Sequence, residues 1–265
     1  MADFPGVLML ILILRNIAYW LIVTLSVPVF GTLAPLLLPF PRRFRHYVVS
    51  RWAFVLMWGL RHVIGLNYQV TGAENIPSTP SVIACKHQSG WETLTLQAMF
   101  PPQVWVAKKE LMWIPFLGWG LACINSIMID RKNKASANRQ LLEQGRERVE
   151  KDGFWIVVFP EGTRMPAGKR GKYRPGAARL ARELDIPLVP VAHNSGEFWP
   201  RNSFLKYPGE ITVVIGPPIM PDGRGPEALT REVENWIEAR QAEISGVGPF
   251  ASAEDKARRA VAQPA

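Results

Sequence analysis

The chain has 265 residues, with 31 Lys or Arg against 22 Asp or Glu and a formal charge of +9. That length suits one α/β domain plus an appendage, and the basic balance suits an anionic partner: nucleic acid, anionic lipid or a phosphorylated substrate. Ten tryptophans and a near-neutral mean hydropathy favour a membrane surface over nucleic acid, and the two cysteines, Cys85 and Cys123, sit in apolar runs as buried thiols of a reducing compartment.

From residue 1 to 41 only Asp3 and Arg15 are charged, and 16–41 is an uncharged run of 26 residues, long enough to cross a bilayer. Pro28, Gly31 and Pro35 interrupt it, which suits a bent or half-inserted hairpin as well as a clean span. An acid near the start and no small-residue cleavage site argue against a cleaved signal peptide. Arg42, Arg43, Arg45, Arg51 and Arg61 follow, so the positive-inside rule puts that flank on the cytoplasmic side. Tyr47, Trp52 and Trp58 make the next helix, about 43–64, an interfacial one, with His46 and His62 as packing residues.

Beyond Gly65, strand-length apolar runs stand at 67–71, 81–85, 104–107, 124–129, 155–159, 188–192 and 211–215. Helical spacing appears between them at about 92–100, 135–150, 174–185 and 226–243. Several runs are apolar throughout, as strands covered on both sides are. The pattern predicts an α/β fold: a mainly parallel sheet with helices on both faces, preceded by an N-terminal membrane-associated helical hairpin. The expected division is 1–64 as anchoring helices, 65–245 as the catalytic domain and 246–265, Ala-rich and basic, as a frayed tail.

In open α/β sheets ligands sit beyond the carboxyl ends of the strands. Those ends carry Lys86 and His87; Lys108, Lys109 and Glu110; Asp130 and Arg131; Pro160 to Arg164; and His193, Asn194 and Ser195. One histidine base, several cations and few acids on one edge describe an anionic substrate held beside a general base. The base is His87, five residues before Glu92 in the stretch Cys85-Lys86-His87-Gln88-Ser89-Gly90-Trp91-Glu92-Thr93. Five residues along a helix point about 140° apart, so the two meet only if His87 lies in the strand-to-helix turn and Glu92 faces back from the first helical turn. The carboxylate would then fix the imidazole tautomer and stabilise its charged form. Ser89 and Glu92 also have capping-box spacing, and a capping carboxylate keeps a second oxygen, so both roles are compatible. Cys85 is the alternative nucleophile, but its apolar run favours core packing.

Phe159-Pro160-Glu161-Gly162-Thr163-Arg164 is the second informative stretch. Gly162 lets the backbone turn and approach a ligand; Thr163 and Arg164 offer a hydroxyl and a planar donor fork that match phosphate oxygens. Glu161 cannot hold phosphate and is expected to orient Arg164 or accept a substrate hydroxyl. The basic loop from Gly168 to Arg174 is not a Walker A loop, because the glycine spacing is five and Arg170 stands where Ser or Thr belongs.

Together these motifs resemble the PlsC-type glycerolipid acyltransferases, the 1-acylglycerol-3-phosphate acyltransferase family. His87 to Glu92 resembles the family's His-x4-Asp, with Glu for the usual Asp. Lys108-Lys109-Glu110-Leu111 with Pro115, Gly118 and the run 127–131 resembles the second block, 159–164 matches the third, and Val189-Pro190-Val191-Ala192 resembles the fourth. The likeness covers about 65–220, and the N-terminal segment looks like the family's two-helix anchor. It implies fatty-acyl transfer from acyl-CoA or acyl-carrier protein to the sn-2 hydroxyl of lysophosphatidic acid, without metal or other cofactor. It also implies a membrane location with the active domain on the cytoplasmic face. His87 and Glu92 would be catalytic, and Lys108, Arg131, Glu161, Gly162, Thr163 and Arg164 would form the phosphate pocket. Rival readings are another acceptor (glycerol 3-phosphate, a different lysophospholipid, a lyso-ornithine lipid), a membrane thioesterase, and a non-catalytic anionic-lipid binder.

Overall fold

The computed structural model describes residues 6–130 and 133–262. The first apolar run forms one helix, α1 (Gly6–Leu36), about 46 Å long at 1.5 Å per residue. It continues through Pro28 and Pro35, and the chain turns at 37–41, at the end of the uncharged run, before the next helix. Then comes α2 (Arg42–Gly59), which runs on through a π turn, Leu60–Ile64, and stops at Gly65 with φ 82°. The hairpin is therefore α1 against α2.

The remainder follows as β1 (Leu66–Thr71), β2 (Val82–Cys85), α3 (Trp91–Met99), β3 (Gln103–Lys108), α4 (Leu117–Cys123), β4 (Ile127–Ile129), α5 (Lys134–Glu150), β5 (Trp155–Val158), α6 (Gly176–Leu184), β6 (Leu188–His193), β7 (Gly209–Ile215), α7 (Pro226–Ile244) and α8 (Ala253–Ala262). The strands lie in the order β1-β7-β6-β2-β5-β3-β4, all parallel except the β6–β7 pair. In the middle, Val82 faces Ile156 on one side and Leu188 on the other.

Strand alternation explains the continuous apolar runs. Ile83, Cys85, Val157 and Val191 enter one core with Tyr19, Leu60 and Trp91. Their neighbours Val82, Ala84, Ile156 and Leu188 enter the other, against Leu141, Leu180, Val233 and Ile237. Both faces are thus covered, and every β2 side chain is buried.

α1 belongs to this body over most of its length. It buries Leu12, Asn16, Tyr19, Gly31 and Ala34, and presents Val7, Leu8, Leu14, Leu21, Leu25 and Val29 outward. Gly31 is needed because a Cβ there would lie 2.3 Å from that of Phe116. The arginines at the start of α2 fasten it to the end of α5. Arg42 bridges Glu147 (3.1 Å) and Asp152 (2.9 Å), Arg43 donates to the Asp152 carbonyl, and Arg45 is buried.

The expected frayed tail is a correction: Ala253–Ala262 is helical. The Glu197 carboxylate accepts the N–H groups of Gly246, Val247 and Gly248, and Ser252 Oγ accepts the Asp255 N–H at the start of α8. Glu197 lies outside the tail's own sequence, so its composition did not reveal that anchor, whereas the Ser252–Asp255 cap is local.

Candidate active site

The turn between β2 and α3 brings His87 to Glu92. Nδ1 of His87 stands 2.7 Å from Oε1 of Glu92, and the same oxygen accepts the backbone N–H groups of Gln88 (3.0 Å) and Ser89 (2.9 Å). Ser89 Oγ accepts the Trp91 N–H and not that of Glu92, and Gly90 is the helix N-cap, so only the glutamate half of the expected capping box forms. One carboxylate oxygen therefore caps the helix and orients the imidazole together, and the second accepts the Ser195 hydroxyl at 3.1 Å. A carboxylate at Nδ1 makes that nitrogen the donor and leaves Nε2 with its lone pair. The ring stacks on Phe159, with centroids 3.9 Å apart.

Glu92 is fully buried. Burial alone would raise its carboxyl, but His193, His87 and the Ser89 N–H outweigh that and bring it from 4.5 down to about 2. Burial also drives His193 towards the neutral form, consistent with Nε2–H donating to the Lys86 carbonyl and Nδ1 accepting from the Ser195 N–H. The lasting pull on Glu92 at neutral pH thus comes from His87 and the backbone. A depressed carboxyl stabilises the fold fully above its ordinary 4.5 and loses that contribution as pH falls to about 2. Glu92→Gln is accordingly expected to flatten the acid limb of the urea-unfolding stability curve across that window. An unchanged acid limb would remove Glu92 from the pH response.

The turn is held from below by charge. Lys86 is wholly buried, and its Nζ contacts Glu161 Oε1 (2.8 Å), Glu238 Oε1 (2.7 Å) and the Lys169 carbonyl (3.2 Å). Glu161 accepts the His87 N–H on Oε2 and the Gly171 N–H on Oε1, and the Tyr173 hydroxyl donates to Glu238. This corrects two expectations. Lys86 is a core cation and does not stand on the rim. Glu161 is turned inward to Lys86 and the His87 backbone, away from a phosphate pocket. Removing one partner of a buried pair leaves the other charge unsatisfied, a loss of about 3–5 kcal/mol. Lys86→Met should lower unfolding stability by that order, and a loss below ~1 kcal/mol would show the network to be dispensable.

His87 opens onto a cavity of about 560 Å³. Its polar end has Lys108, from the last position of β3, with Gly162, Thr163 and Arg164 from the loop after β5. Gly162 turns at φ 69°, where a side chain would be strained. Arg164 Nε is buried without a hydrogen-bond partner among the described residues. The loop is fixed to the histidine turn by the Met165 N–H donating to the His87 carbonyl at 2.7 Å. The rest of the cavity is mainly apolar, walled by Val27 and Phe30 of α1, Trp52 of α2, Leu94 and Trp105, and Leu121 of α4, with Thr93 and Gln97 of α3 also on its lining. The structure thus brings His87, Lys108, Gly162, Thr163 and Arg164 to one space and places Glu92 behind His87. Arg131 lies outside the described residues. Arg201 and Asn202 also line the polar end. Sequence reasoning missed them because they stand beyond a strand-end turn; the only signal was a cation soon after a run of strand-end polar residues.

A family model described as Acyltransferase matches residues 67–194. A 1-acyl-sn-glycerol-3-phosphate acyltransferase of Pseudomonas aeruginosa is 44% identical over 241 residues, covering 88% of this chain and 93% of the relative. The enzyme of that name from Saccharomyces cerevisiae is 36% identical over 135 residues, covering 50% and 44%. Among solved structures, the 1-acyl-sn-glycerophosphate acyltransferase PlsC of Thermotoga maritima shares the fold, with a TM-score of 0.73 at 23% identity over 88% of this chain and 95% of the other.

Proposed function

Because the chain belongs to the PlsC-type 1-acyl-sn-glycerol-3-phosphate acyltransferase family, we propose that its cavity acylates the sn-2 hydroxyl of lysophosphatidic acid from an acyl thioester, giving phosphatidic acid for phospholipid synthesis. The observation that carries this reading is the make-up of one cavity: an imidazole oriented at Nδ1, cations at the polar end and a long apolar wall.

Each part has a task. Lys108, Thr163 and Arg164 hold the acceptor phosphate, and the apolar wall receives acyl chain. His87 Nε2 takes the hydroxyl proton as the oxygen attacks the thioester carbonyl; the C–O bond forms, the C–S bond breaks, and the proton passes to the departing thiolate. Glu92 stabilises the imidazolium between these steps. The attack is direct, so no acyl-enzyme is required. A thioesterase would activate water, which needs no phosphate clamp.

Membrane attachment uses α1 and α2. An apolar helix of mean hydropathy 2.1 that buries one face from Leu12 to Ala34 against an α/β domain lies along the bilayer surface with its outer face immersed. Its catalytic domain then sits on the cytoplasmic side, where acyl-CoA and acyl-carrier protein are found. The test is purified enzyme with labelled acyl-CoA, or labelled acyl-carrier protein, and an acceptor panel of lysophosphatidate, glycerol 3-phosphate and other lysolipids. Labelled phosphatidic acid from lysophosphatidate is expected; preference for a different acceptor would replace the substrate assignment.

A further inference from the structure

The loop joining β6 to β7 reaches three parts of the molecule at once. Its base is closed by the Tyr207 N–H donating to the Phe198 carbonyl (3.0 Å), and it turns at Asn202, where φ is 59°. On one flank Arg201 Nη1 donates to the Arg164 carbonyl (2.8 Å), which sets the Arg201 side chain on the cavity beside Thr163.

The opposite flank is fastened to α1. Asn16, fully buried on an otherwise apolar face, donates to the Lys206 carbonyl (3.0 Å) and accepts the Lys206 N–H (2.8 Å). Trp20 Nε1–H donates to the Phe204 carbonyl (3.0 Å), and its ring stacks on that of Phe204 with centroids 6.0 Å apart. The Lys206 ammonium sits 3.9 Å from the Trp20 ring centroid and 4.6 Å from that of Trp199. Trp199 in turn lies against the histidine turn, where a Cβ on Gly90 would come within 3.2 Å of the indole. A buried asparagine is costly unless paired. Pairing it with a loop backbone makes helix and loop one unit, and the loop presents a guanidinium to the polar end.

We propose that Arg201 is a further cation for the acceptor phosphate, and that α1 holds it in place through Asn16 and Trp20. The helix is then part of the acceptor site as well as a membrane contact. This rests on the phosphate-site reading above. Arg201 touches substrate; Asn16 and Trp20 are positioning residues.

The test uses the full-length enzyme in mixed micelles containing lysophosphatidate, where membrane targeting does not limit the rate. Arg201→Ala should raise the acceptor KM on the order of tenfold, the worth of one charge-assisted contact, with a smaller loss of turnover, while the acyl-CoA KM stays within about twofold. Arg201→Lys should recover part of the loss. Asn16→Leu and Trp20→Phe should raise the same KM, and should add little when combined with Arg201→Ala. Trp20→Phe keeps the ring, so it carries the coupling test if Asn16→Leu fails to fold. An unchanged acceptor KM in Arg201→Ala, or an equal rise in the acyl-CoA KM, overturns the role of Arg201. Additive effects of Trp20→Phe and Arg201→Ala overturn the coupling. Arg164→Ala in parallel separates the two readings: if it raises the acceptor KM and Arg201→Ala does not, the phosphate site stands and this proposal falls. If neither raises it, the phosphate site itself falls.

Discussion

Replacing His87 by alanine is expected to lower turnover by roughly 10²–10⁴, the usual worth of a positioned general base. The expectation follows from geometry: Nδ1 is committed to Glu92 at 2.7 Å, while the ring lines the cavity with Nε2 unclaimed by the carboxylate. The acceptor KM should change little, because the phosphate contacts lie on other elements. Glu92→Gln should cost less than the loss of His87, and Glu92→Asp least, since aspartate keeps the charge but must span one methylene more to reach Nδ1. The measurement is single-turnover acyl transfer from labelled acyl-CoA to lysophosphatidate, on folded, membrane-bound protein. Near wild-type turnover in His87→Ala would dismiss the histidine as base.

Arg164→Ala should act first on acceptor binding. Phosphate is present in the ground state and in the transition state, so a contact with it contributes to both. Loss of one charge-assisted hydrogen bond costs about 1.5–3 kcal/mol, roughly 10- to 150-fold in acceptor affinity. Some turnover should follow, because a loosely held phosphate leaves the hydroxyl misplaced relative to His87. Arg164→Lys should rescue only in part, since a point charge lacks the bidentate fork. The discriminating measurement is the KM for lysophosphatidate beside that for an uncharged monoacylglycerol. An equal penalty on both would remove Arg164 from the phosphate site and leave it as scaffold. Glu161, the alternative partner considered for Arg164 on sequence grounds, is occupied by Lys86 and the backbone of His87 and Gly171.

Reading strand ends together worked because β-strand length and apolar continuity are local properties, and the parallel sheet collects those ends on one edge. The histidine turn was legible for the same reason: capping chemistry and the His87–Glu92 spacing lie within one short stretch. The inward turn of Glu161 was not legible, because its partner Lys86 is 75 positions away and looks like any strand-end lysine. Glu238, the other partner, sits 152 positions from Lys86 in a helix whose sequence reads as an ordinary charged surface. Asn16 left a faint local trace as a polar residue in an apolar run, yet nothing nearby says which backbone satisfies it. Nor were the partners of Arg42 and Arg43 legible, because Glu147 and Asp152 lie more than a hundred positions along the chain.

The fastening of Asn16 to Lys206 also bears on how the chain is made. The two residues are 190 positions apart, so α1 leaves the ribosome long before the loop that completes its buried face exists. At ordinary synthesis rates of about 5–20 residues per second, that interval is roughly ten to forty seconds. During it the first helix can already pack on α2 and α4, but Asn16 has no backbone partner on its buried face. Strand β1 must likewise wait for β7, its only neighbour in the sheet among the described residues. Docking of the β6–β7 loop onto the waiting helix would then bring Arg201 to a cavity whose other lining residues are already synthesised.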